Sequence, residues 1–102
     1  MAFVIEIFLP LRTPKGAGAP GPVFEALKRR LVERFGGVTV FARTPAEGLW
    51  RDEGAVERDE IAVFEVMTNE LDRNWWSALR RQLEGDLEQA EILIRAVSTD
   101  RL

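Results

Sequence analysis

The sequence predicts one α+β domain of the ferredoxin-like type. Its order is β-α-β-β-α-β, with a four-stranded antiparallel sheet, both helices on one face and an extra hairpin between strands 2 and 3. Three observations lead there. Four short runs rich in β-branched and aromatic residues, at 3–9, 38–43, 61–67 and 90–97, have strand character. Two longer segments carry apolar residues at helical spacing: Phe24, Leu27, Leu31 and Phe35, then Trp76, Leu79, Leu83 and Leu87. Finally, 102 residues make one core and are too few for two, so residues 1–102 are read as a single domain.

Residues 3–9 are almost continuously hydrophobic and stop at Pro10, which marks a central strand. Residues 10–22 collect Pro10, Pro14, Gly16, Gly18, Pro20, Gly21 and Pro22 and read as a long connection. A plain linker is the favoured reading. A binding loop or lid is the sharper one, since Arg12, Thr13 and Lys15 sit beside glycines, although no phosphate-loop motif is present. Pro22 suits the first turn of a helix running to Phe35. Gly36 is placed to end it in the left-handed conformation, and Gly37 to allow the turn into strand 2.

Strand 2 is expected from Val38 to Ala42 or Arg43, broken by Thr44-Pro45. The chain then leads through Gly48-Leu49-Trp50-Arg51 to a turn at Asp52-Glu53-Gly54 and back along 55–59. Residues 61–67 form the third main strand. Asp72 or a neighbour caps a helix over 73–87, whose final turn Gly85 weakens. Residues 90–97 complete the sheet, and the pattern predicts the spatial order 4-1-3-2.

Composition narrows the function. Neither cysteine nor histidine occurs, which removes disulfides, thiolate metal sites, cysteine nucleophiles and any Ser-His-Asp triad. Tyrosine is missing too, so proton transfer would fall to carboxylates or a perturbed lysine, and the reading leans away from an enzyme. With a net charge of −3 and acids interleaved among the arginines, no basic stripe for nucleic acid emerges. The first residues lack the pattern of a signal peptide and no apolar run could span a bilayer, so a cytoplasmic protein without a membrane partner is expected.

In this fold one sheet face packs on the helices. Phe3, Ile5, Ile7 and Leu9 are the helix-facing set of strand 1, joined by Val38, Val40, Ala42, Ala62, Phe64, Val66, Ile92, Ile94 and Ala96. The open face then carries Val4, Phe8, Phe41, Ile61, Val63, Met67, Leu93 and Val97, with Glu6, Glu65, Arg95, Thr39 and Arg43 among them. That is too apolar to stay wet on a monomer and too charged for a core. Two arrangements resolve it. In the favoured one, a homodimer packs two open faces together or pairs edge strands, with ion pairs satisfying the charges. Alternatively, the excursion around Trp50 and loop 10–22 can partly cover it and leave a small-ligand pocket.

The binding candidates are therefore Glu6, Arg43, Trp50, Glu65 and Arg95, with no cofactor and no metal site expected. A cofactor-free enzyme using Glu6 or Glu65 as general acid or base, with Arg95 or Arg43 anchoring an anion, is the alternative. A structural ion pair between the carboxylates and Arg95 is favoured over it. Phe8 and Phe41 also permit an RNA-stacking reading, which the acidic face argues against.

Phe35-Gly36-Gly37-Val38-Thr39, Gly48-Leu49-Trp50-Arg51-Asp52 and the strand at 61–67 resemble a group of small uncharacterised bacterial proteins. Those share a Phe-x-Gly-(Leu/Val)-Thr turn followed by Gly-x-Trp. The run Trp76…Leu83…Gln89-Ala90-Glu91-Ile92-Leu93 is similar to their last helix and strand. The resemblance covers the last two-thirds of the chain. It implies a ferredoxin-like fold and no activity, and carries over no catalytic residue.

Overall fold

A computed structural model of the chain describes residues 1–11, 21–48 and 57–102, with the side chains of 42–48 and 57–60 outside that description. The expectations for residues 12–20 of the loop at 10–22, for Trp50 and for the turn at 52–54 therefore lie outside the described residues. Six elements follow in order: β1 (Ala2–Pro10), α1 (Gly21–Phe35), β2 (Thr39–Gly48), β3 (Glu57–Thr68), α2 (Arg73–Asp86) and β4 (Leu93–Thr99). The strands form one antiparallel sheet in the order β2-β3-β1-β4. This is the ferredoxin-like arrangement that the periodicities predict.

The core lies between the sheet and the two helices. Ile5, Ile7 and Leu9 of β1 and Ala62, Phe64 and Val66 of β3 meet Leu27 and Leu31 of α1 and Trp76, Leu79 and Leu83 of α2. Leu87 and Ile92 close the end beside β4. Each large apolar side chain so buried contributes about 1.5–3 kcal/mol. Phe24 meets Phe64 edge-on at 5.4 Å. Phe35 stacks on Trp76 at 5.2 Å and meets Trp75 edge-on, while the Arg34 guanidinium lies 4.5 Å from the Trp75 ring centroid. Trp75 thus joins the two helices.

The helix ends obey local chemistry. Gly36 takes φ +85° and its N–H donates to Val32 O at 2.8 Å, closing α1 in the left-handed region that glycine tolerates. Gly37 shows no such φ, so the turn into β2 does not depend on it, contrary to expectation. Asp72 caps α2, accepting from Trp75 N–H at 3.1 Å. At the far end Glu88 takes φ 53°, Gln89 N–H donates to Glu84 O, and Glu88 N–H donates to Gly85 O. That pair of bonds is a Schellman closure without glycine.

Several strand boundaries differ from expectation, most of all in β2, β3 and β4. β2 does not end at Thr44-Pro45: pairing passes from Arg43–Ile61 through an irregularity to Ala46–Asp59, Glu47–Arg58 and Gly48–Glu57. The extra hairpin between strands 2 and 3 is thus continuous with both. A proline is tolerated there because β2 is an edge strand and the irregularity frees its position from the ladder. β4 starts at Leu93 rather than Ala90, because Ile92 N–H is drawn to Glu84 Oε2 of α2 at 2.9 Å. It also runs on to Thr99, past the expected end at Val97, because Ala2 extends β1 opposite it.

Candidate functional site

Strand alternation and register together lay out the open sheet face as transverse rows. The central row crosses all four strands as Thr39, Glu65, Glu6 and Arg95, each opposite the next. On one side lies an apolar row of Phe41, Val63, Phe8 and Leu93. On the other side lie Met67, Val4 and Val97. A single polar stripe is therefore framed by hydrophobic ones.

Within the stripe, Arg95 Nε donates to Glu6 Oε1 at 2.8 Å. The Glu6 side chain is 16% exposed and that of Arg95 55% exposed. The guanidinium also lies 5.1 Å from the Phe8 ring centroid, so both its charge and its flat face are engaged. Glu65 stands opposite Glu6 on the other side. Among the described residues no ion-pair partner of Glu65 is found. Like charges directly opposite repel, and the Arg95 contact offsets this at Glu6 only. The stripe thus carries an internal ion pair and one further carboxylate.

The apolar rows are unevenly covered. Phe41 is 42% exposed, Met67 38%, Leu93 54% and Val97 45%. Val63, expected on the open surface, is instead buried, because Phe8 and Phe41 flank it on the neighbouring strands. Val40, expected to face the helices, stays exposed on the edge strand. Ala96, also placed on the helix-facing side, is exposed near the edge.

No protein-family model matches the chain and no curated protein sequence matches it. Solved structures do match. The divalent cation tolerance protein CutA1 from Thermus thermophilus is 17% identical, with 99% of this chain and 86% of that chain covered at a TM-score of 0.62. The periplasmic divalent cation tolerance protein CutA from Archaeoglobus fulgidus is 19% identical over 99% and 86%, at 0.63. A phage SAM lyase in complex with S-methyl-5'-thioadenosine is 15% identical over 94% and 80%, at 0.63. What is shared is the fold.

Of the five residues singled out in the sequence, three come together: Glu6, Glu65 and Arg95 in one row. Arg43 is placed by its backbone two positions along β2 from Phe41, opposite Ile61, and its side chain lies outside the described residues. Trp50 lies outside them as well. Thr39, expected on the open face but not among the five binding candidates, forms the polar end of the stripe opposite Glu65. No helix among the described residues is long and apolar enough to cross a membrane.

Proposed function

We propose that the chain is a homo-oligomeric, dimeric ferredoxin-like module of the cytoplasm that buries its open sheet face against a second copy, with small-ligand binding on that face. One observation carries the reading: four large apolar side chains, Phe41, Met67, Leu93 and Val97, are exposed on one face beside a charged stripe. The geometry suits self-association. β1 lies between β3 and β4, so a two-fold axis along β1 exchanges them. Leu93 then faces Val63 of the second copy, Val97 faces Met67, and Arg95 faces Glu65. Apolar rows meet apolar rows, and the remaining carboxylate gains a cation across sheets about 10 Å apart.

Size-exclusion chromatography with light scattering at about 50 µM tests this, since a specific interface has a Kd well below that. A dimer that Leu93→Lys splits supports it, and a monomer refutes it. For the ligand, a thermal-shift screen of small molecules applies, including divalent cations and S-methyl-5'-thioadenosine because the structural neighbours carry those names.

The direct pairing of Glu6 with Glu65 supports a second reading, acid–base catalysis on the open face. A ligand from the screen whose chemical turnover is lost in Glu65→Gln would favour it over plain binding.

A further inference from the structure

On the opposite side of the sheet, a cleft of about 180 Å³ opens between α2 and the edge strand β4. Its origin is a shortage of side-chain bulk. In the helix-facing row that runs from Val66 through Ile5 to Ala96, the sheet ends in a methyl group, and Ser77 of α2 also lines the gap. Ile5, Trp76 and Ile94 supply apolar walls. Arg73 and Arg80, two helical turns apart, supply charge.

Two features set this cleft apart. Among the described residues its lining includes no Asp or Glu, in a chain whose net charge is −3. In addition, among the described residues no acceptor is found for the guanidinium of Arg73 or Arg80. Arg95 also borders the cleft, but its guanidinium is held by Glu6 and Phe8. The larger hollow of about 310 Å³ beside Phe35 differs: its Arg34 is neutralised by Asp72 at 3.4 Å.

We infer that the α2–β4 cleft binds a small organic anion, its carboxylate or phosphate between Arg73 and Arg80 and its apolar part against Ile5, Trp76 and Ile94. Guanidinium groups bind carboxylate and phosphate oxygens through charge-assisted hydrogen bonds. The cleft is below the roughly 300–1,000 Å³ of drug-sized sites, so a ligand with one ring or a short chain fits it.

Amide chemical-shift titration with phenyl phosphate, phenylacetate, inorganic phosphate and benzyl alcohol tests this. Expected are saturating shifts centred on Trp76, Ser77 and Ala96 for the aromatic anions, at least about tenfold weaker binding of the other two probes, and preference between the two anions naming the headgroup. Arg80→Gln and Arg73→Gln should each weaken the aromatic anion about tenfold, against less than twofold for Arg81→Gln on the same helix but outside the cleft. Ala96→Leu, which fills the gap while keeping both arginines, should abolish the shifts. Shifts that do not saturate by about 10 mM, or that fall equally in Arg81→Gln, would overturn the inference. So would retained binding in Ala96→Leu. Should one arginine variant fail to fold, the other and Ala96→Leu still decide the matter.

Discussion

Arg95→Met and Glu6→Gln should differ in cost although they break the same ion pair. Arg95 donates to Glu6 at 2.8 Å, and the carboxylate is 16% exposed. A pair of this partial burial lies between a surface bridge, worth up to about 1 kcal/mol, and a buried one, so its loss should cost about 1 kcal/mol. Arg95→Met also leaves the charged Glu6 opposite the charged Glu65, with Cβ atoms about 5 Å apart. That repulsion adds about 0.5–1 kcal/mol, for a total of about 1.5–2 kcal/mol. Glu6→Gln loses the same pair but removes the repulsion, for a net cost of about 0.5 kcal/mol or less. Equilibrium urea unfolding of both single variants and the double variant, at fixed protein concentration, measures these terms and their coupling. Equal costs for the two single variants, or a coupling below about 0.3 kcal/mol, would refute the stripe as an energetically linked row.

Gly36→Ala should destabilise by about 1 kcal/mol, since φ +85° strains any Cβ although no neighbour lies within 4 Å of it, while Gly37→Ala should be neutral. Thermal unfolding of the two side by side checks it, and equal shifts would contradict the assignment of the helix end to Gly36. Asp72→Ala should cost about 1 kcal/mol through loss of the α2 cap, with Asp72→Asn retaining most of the stability. Urea midpoints decide between the cap and the exposed Arg34 contact: if Asn fares as badly as Ala, the ion pair matters more.

Much of this architecture was legible in the residues because period two and period 3.6 are strong signals over the lengths involved. The helix-facing set Ile5, Ile7, Leu9, Ala62, Phe64 and Val66 follows from alternation alone. Register does not. That Glu6 meets Glu65 and Arg95, rather than sitting two residues away, depends on how the ends of the strands dock, which no single strand encodes. Thr44-Pro45 looked like a break because a proline ends a central strand; that β2 lies at the edge is a property of the whole sheet. The α2–β4 cleft was invisible for another reason. Ser77 and Ala96 are ordinary small residues in sequence, and only their approach across two elements leaves space between them.

β4 brings both proposals onto one seven-residue strand. Leu93 and Val97 belong to the open face and Ile94 and Ala96 to the cleft, while Arg95 of the open face also borders the cleft at the sheet edge. Successive side chains on a strand point to opposite faces, so the two surfaces are separated by the backbone itself. Leu93→Lys should therefore disrupt self-association while changing phenyl phosphate affinity by less than about twofold. Ala96→Leu should do the reverse, closing the cleft and leaving the dimer intact. Light scattering and shift titration on both variants complete the crossed test. If Leu93→Lys abolished both properties, the cleft would depend on the assembled state. The ligand would then have to be read as bound by a pair of chains rather than by one.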